Sequence, residues 1–151
     1  MRVRPARRDE LGACAALYHR VVRETFTWLP TGDAADRFLE EAKEEEVYVA
    51  EVAGRLVGLA CFYRPDDFLH SLYIEQDARG AGVGSALLAH VRSIAKGPVS
   101  LKVQKLNTDA IAFYRARGME IVEEGGLDDP GGGWWGMSDP DWSASGLVEP
   151  G

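Results

Sequence analysis

The stretch Arg79-Gly80-Ala81-Gly82-Val83-Gly84-Ser85 decides how this chain folds, because of what stands on either side of it. An apolar segment, Phe68 to Ile74, leads into it, and a second, Ala86 to Ile94, leads out. That order predicts a strand, a glycine-rich turn and a helix. A helix start leaves main-chain N–H groups unpaired and carries about half a positive charge, so it attracts phosphate. Glycine lets the main chain approach a ligand that a Cβ would hold off. The expected ligand therefore carries phosphates.

Two common phosphate loops do not fit. A P-loop ends in Gly-Lys-Ser/Thr, and Gly84 is followed by Ser85 with no lysine. A dinucleotide fingerprint needs a third glycine where Ser85 stands. It also needs an acidic residue about 20 residues on, where the chain reads Leu101-Lys102-Val103.

Further along, Asn107-Thr108-Asp109-Ala110-Ile111-Ala112-Phe113-Tyr114-Arg115-Ala116-Arg117-Gly118-Met119 reads as a short helix. Asn107 or Thr108 can cap its start, and Gly118 can take the left-handed conformation past its end. With both segments in hand, the chain resembles the GNAT superfamily of N-acetyltransferases. Its pattern Arg/Gln-x-x-Gly-x-Gly/Ala is met by Arg79, Gly82 and Gly84. Its pattern Asn-x-x-Ala-x-x-Phe-Tyr-x-x-x-Gly-Phe is met from Asn107 through Gly118, with Met119 in place of the final Phe. Met for Phe is a volume-tolerant apolar exchange. The resemblance extends from Val3 to about Val122.

The 151 residues suit one domain, expected over residues 1–142, with Ser143 to Gly151 as a flexible tail. A hydrophobic fraction of 46% and a charged fraction of 27% are ordinary for a globular protein. The net charge of −7 argues against a nucleic-acid partner. An acidic chain is compatible with cationic amines. No apolar run reaches transmembrane length, and no signal-peptide core stands at the start, so no membrane partner and a cytoplasmic location are expected. Cys14 and Cys61 lie in apolar segments and read as buried free thiols.

Periodicity predicts a strand at Val3 to Ala6, a helix from Asp9 to Arg23, a loop from Phe26 to Gly32 and a second helix from Asp33 to about Lys43. Val47 to Val52 and Arg55 to Tyr63 read as a hairpin turning at Ala53-Gly54. A helix over Ala86 to Ala95, a strand over Val99 to Val103, a strand from Met119 to Glu123 and a last strand over Trp134 to Met137 complete the series. The expected fold is α/β: a single domain with a GNAT-like mixed, mostly antiparallel central sheet flanked by helices.

The resemblance implies acetyl-CoA as donor and a primary amine, of a small molecule or a peptide, as acceptor. Pyrophosphate would sit on the amides of Gly80, Ala81, Gly82, Val83, Gly84 and Ser85, beside Arg79. Leu72, Tyr73 and Ile74 match the family's pantetheine-binding strand, where a peptide-like arm pairs as an extra strand would. One of their N–H groups could polarise the thioester carbonyl. Tyr114 occupies the family's general-acid position. Asn107 suits a hydrogen bond to pantetheine, a helix cap, or both.

A substrate amine with a pKa of about 10.4 is only about 0.1% neutral at about pH 7.4, so a base, direct or through water, would help. His70, on the same strand as Leu72 and Ile74, is the first candidate. Glu75, at the mouth of the glycine turn, is the second candidate and a substrate contact. Trp28 and the pair Trp134-Trp135 are candidate walls of the acceptor pocket, with core packing as the alternative. The glycine-rich run from Asp128 to Gly133 reads either as a loop closing over the acceptor or as a disordered one. No metal is expected. The resemblance also allows a homodimer, because Trp-bearing C-terminal strands lie near subunit contacts in this family. A non-catalytic acyl-CoA sensor is the alternative function: it would keep the glycine turn and dispense with Tyr114.

Overall fold

Arg2–Pro5 (β1) opens the chain as an edge strand, tied down by charge. Arg4 donates to Glu10 at 2.8 Å and to Glu51 at 3.0 Å, which joins β1 to the turn at Arg8–Glu10 and to the next strand. The computed structural model describes residues 1–140, so the tail expected at 143–151 lies outside the described residues. Glu46–Val52 (β2) and Arg55–Tyr63 (β3) pair antiparallel through Ala53 and Gly54, both at positive φ, as the hairpin reading requires.

Phe68–Ile74 (β4) pairs antiparallel with β3 and parallel with Ser100–Gln104 (β5). Glu120–Gly125 (β6) and Trp134–Ser138 (β7) complete one seven-stranded sheet among the described residues, in the order β1-β2-β3-β4-β5-β7-β6. The β4–β5 pair is parallel and the others are antiparallel. The expected α/β architecture is met.

Helices cover both faces. Leu11–Thr25 (α1) buries Cys14, Leu17, Tyr18, Val21 and Val22, the three- and four-residue spacing of one apolar stripe. With Phe38 of Ala34–Glu41 (α2) they pack on Val49, Leu59 and Cys61. On the other face Val83–Ile94 (α3) buries Val83, Leu87, Leu88 and Val91 against Ala50, Ala60 and Phe62. Thr108–Ala116 (α4) packs beside α3 and buries Tyr114. Phe38 and Phe62 are fully buried, and truncating either to Ala would cost about 3–5 kcal/mol.

The boundary of α3 differs from expectation in a way that matters. The helix starts at Val83, with Gly82 as a left-handed cap at φ 82°, not at Ala86. Val83, Gly84 and Ser85, the last part of the glycine-rich segment, are therefore the first turn of the helix itself.

Candidate active site

The site begins as a failure of pairing. β4 and β5 share only two register positions, Phe68↔Ser100 and Leu69↔Leu101, and then part. At the next residue β4 carries a bulge. Its pairing with β3 jumps from Phe62↔Leu69 to Cys61↔Ser71, leaving His70 over. A bulge bends its strand and increases the local twist, which swings β4 away from β5 while β7 keeps hold of β5.

The resulting cleft has a volume of about 1120 Å³ and runs between Leu72 to Ile74 on one wall and Leu101 to Gln104 on the other. The Glu75 N–H donates to Val57 O at 2.8 Å. Antiparallel pairing alternates, so Ser71 and Tyr73 also turn their main-chain groups to β3, while Leu72 and Ile74 turn theirs into the cleft. The Ile74 carbonyl already accepts a hydrogen bond from Arg79 Nε at 3.3 Å. Leu72 and Ile74 thus offer a strand edge inside the protein. Tyr73 does not share that edge. Its ring lies on the α1 face, 5.0 Å from Tyr18 and 6.2 Å from Phe26, centroid to centroid.

At one end of the cleft stands the start of α3. The first i→i−4 bond is Ala86 N–H to Gly82 O, so the N–H groups of Val83, Gly84 and Ser85 have no partner within the helix. Gly80 and Gly82 both sit at φ +82°, and a Cβ added to either would meet nothing within 4 Å. Their open side leaves the main chain accessible next to the unpaired amides, an arrangement compatible with a diphosphate group. Gly84 serves another purpose. A Cβ there would lie 3.1 Å from the Phe113 ring, so this glycine lets α3 and α4 approach. Ala81 does not line the cleft, and the Val83 side chain is buried in the core.

Arg117 belongs to this end as well, and sequence reasoning passed over it. Its Nε and Nη2 donate to Ser85 Oγ at 2.9 and 2.7 Å, its Nη1 to Phe113 O at 2.8 Å, and its guanidinium lies 3.6 Å over the Phe113 ring. A fixed positive charge stands beside the helix start. Its spacing of four from Phe113, one helical turn on the same face, is the signal that could have found it.

Asn107 caps α4, its Oδ1 accepting from Ala110 N–H at 3.4 Å, and also lines the cleft. Tyr114 lines the cleft from α4. Burial raises its pKa above the usual phenol value, so it stays protonated and is a weaker acid than a free phenol.

His70 lines the cleft from the bulge. Its Nδ1 lies 2.6 Å from Glu45 Oε1 and 3.4 Å from Glu41 Oε2. The Glu45 hydrogen bond, and then the charges of Glu45 and Glu41, raise the histidine pKa against the opposing effect of burial. Neither glutamate was singled out in the sequence. Both lie in the acidic stretch from Glu40 to Glu46, and the fold alone brings them to His70.

The remaining expectations meet mixed surroundings. The Glu75 carboxylate is taken by Arg20 at 3.0 Å and approached by Arg55 at 3.8 Å, and it does not line the cleft. The strand carries it past the cleft mouth. Trp28 does not line the cleft either. Its ring packs edge-on against Phe26, its Nε1 donates to Gln104 Oε1 at 3.5 Å, and a Cβ on Gly131 would strike it at 2.7 Å. It therefore bridges the α1–α2 connection and the glycine-rich loop before β7. That loop is ordered as a turn at Pro130–Gly132. Trp134 reaches the cleft wall, with Lys102 Nζ 4.3 Å from its ring, while Trp135 packs against the core.

The sequence pattern of the Acetyltransferase (GNAT) family matches residues 14–119. The peptidyl-lysine N-acetyltransferase YjaB of Salmonella typhimurium strain LT2 is 28% identical over 134 residues, covering 85% of this chain and 90% of YjaB. Among solved structures, the histone acetyltransferase HPA2 and related acetyltransferase of Corynebacterium glutamicum superposes with a TM-score of 0.76 at 22% identity, over 92% of this chain and 95% of the other. The PaiA N-acetyltransferase of Thermoplasma acidophilum, solved in complex with coenzyme A, superposes with a TM-score of 0.74 at 14% identity, over 92% and 99%.

Proposed function

The chain belongs to the GNAT acetyltransferase family, and from that premise we propose that it acetylates the side-chain amine of lysine, with Tyr114 as proton donor and His70 as proton acceptor. As a member of the family it is an acyl-CoA-dependent N-acetyltransferase that moves an acetyl group from acetyl-CoA to an amine. The observation that carries the reading is the gap between β4 and β5, with the open main-chain edge of Leu72 and Ile74 on one wall.

The coenzyme supplies the acetyl group as a thioester. Residues of this chain do the rest. The amides of Val83, Gly84 and Ser85, with Arg117 and Arg79 nearby, bind its diphosphate. Leu72 and Ile74 hold its amide-bearing arm as a neighbouring strand would, and an N–H on that edge polarises the acyl carbonyl. His70, made more basic by Glu45, accepts the proton the amine must lose. Tyr114 donates a proton to the departing sulfur. Because burial weakens it as an acid, its contribution is about tenfold to a hundredfold, at or below the low end for general acids.

Lysine is favoured as acceptor by the YjaB relative, which covers most of this chain and acts on peptidyl-lysine. A small-molecule amine is the alternative acceptor. A thiol-release assay over lysine peptides and free amines, with products weighed by mass spectrometry, separates them. Turnover on a lysine peptide supports the reading. Turnover confined to small amines replaces the acceptor, and coenzyme binding without turnover on any amine leaves only a sensor. Tyr114→Phe should lower kcat by about tenfold to a hundredfold with the acetyl-CoA affinity nearly unchanged. An unchanged kcat would remove the proton-donor role.

A further inference from the structure

We propose that Glu41, Glu45 and His70 form a binding site for a single zinc ion. The bulge in β4 turns the His70 ring towards the end of α2, where the two carboxylates stand. Each residue offers one ligand atom, and these atoms all lie within 4.8 Å of one another.

A second observation makes this more than a local ion pair. The Glu45 side chain is 8% exposed, and its Oε2 is buried with no hydrogen-bond partner among the described residues. A buried carboxylate oxygen left unpaired is costly, and it belongs to the carboxylate already turned towards His70 Nδ1. With His70 in the neutral form that a metal requires, the two carboxylates leave two negative charges. The guanidinium that acts on Glu41, that of Arg37, is itself 3.3 Å from Asp33. A cation answers both the charge and the unpaired oxygen.

Zinc accepts both kinds of donor. One imidazole nitrogen and two carboxylate oxygens suit zinc, whose sites with three protein ligands keep a fourth position for water. Glu41 and His70 keep about a third of their side-chain surface open (37% and 34%), so an ion and its water have a way in.

Occupancy has a consequence that rests on the function proposed above. Ligation through Nδ1 leaves the proton on Nε2, so the imidazole has no lone pair with which to accept a proton. The loaded protein is therefore inhibited.

The test uses the full chain freed of metal by chelation. Zinc titrated calorimetrically should bind at one ion per chain, and cobalt(II) in its place should give the visible absorption of a low-coordinate site. Glu41→Gln, at a partly exposed position where folding is not at stake, should weaken binding by at least about tenfold, and Glu45→Gln by more. No saturable binding, or equal affinity in the wild type and both variants, overturns the site. Zinc that binds as described and also suppresses acetyl transfer supports both proposals. Zinc that binds as described without slowing transfer supports the site and removes His70 as proton acceptor. Transfer that proceeds in a chain with no zinc affinity overturns the site alone.

Discussion

His70 and Glu45 are an imidazole and a carboxylate 2.6 Å apart at the bend of β4. The Glu45 hydrogen bond raises the histidine pKa above its ordinary value near about 6.5. The pair's contribution to stability is therefore full below about 6.5 and is lost as pH rises through the raised value. Proton acceptance needs the neutral form, so its sign is opposite: activity climbs as pH rises through that same raised value. In the metal-free protein, Glu45→Gln should move the rising limb of kcat/KM to lower pH, towards that of an unassisted histidine, and His70→Gln should abolish the limb. A limb that stays in place in both variants would assign the titration to another group. The other charge facing His70 is that of Glu41 at the end of α2, on which Arg37 acts from one turn earlier on the same helix.

The junction of α3 and α4 is as close as glycine allows. Phe113 lies between the Gly84 backbone and the Arg117 guanidinium, and Arg117 in turn holds Ser85. Gly84→Ala should force the ring aside by a few tenths of an ångström and cost about 1–2 kcal/mol of stability. Because Phe113, Arg117 and Ser85 are linked, acetyl-CoA binding should weaken in the same variant. Thermal unfolding and calorimetry measure the two effects. Adding Phe113→Leu should recover stability more than coenzyme affinity, since the guanidinium loses its aromatic platform. Full recovery of both would mean the junction acts through packing alone.

The sheet divides the protein into two apolar cores, and both cysteines lie in the one beneath α1 and α2. Cys14 and Cys61 are free and buried at 1% and 2% exposure. Burial pushes the Cys14 thiol up to about 11 and the Cys61 thiol well above its usual value. Neither has the lowered pKa of a reactive cysteine. In the native protein both should react with a disulfide reagent at least about a hundredfold more slowly than free cysteine, at a rate set by opening of this core. Rapid labelling of either thiol would mean that the α1–α2 layer opens on its own. Among the described residues, no helix is long and apolar enough to cross a membrane.

What could be read from the residues was local. Gly80 and Gly82 marked a turn because their conformation is one that side chains resist. Asn107 marked a helix start because its carbonyl oxygen reaches a nearby amide. The apolar spacing of α1 named its buried face, and the Arg79–Ser85 run pointed to phosphate. Every one of these signals acts over a few residues of chain.

The arrangement of the site belongs to longer distances. The parting of β4 from β5 follows from a bulge visible only once β3 is in register beside it. Glu45 reaches His70 across 25 positions of sequence, and Arg117 reaches Ser85 across 32. Trp28, expected at the pocket, is drawn off by Gly131 and Gln104, and Glu75 by Arg20. A side chain's conformational preference is written in its own neighbourhood. Its partner is chosen by the sheet and helices that carry it, and no short stretch of chain contains that choice.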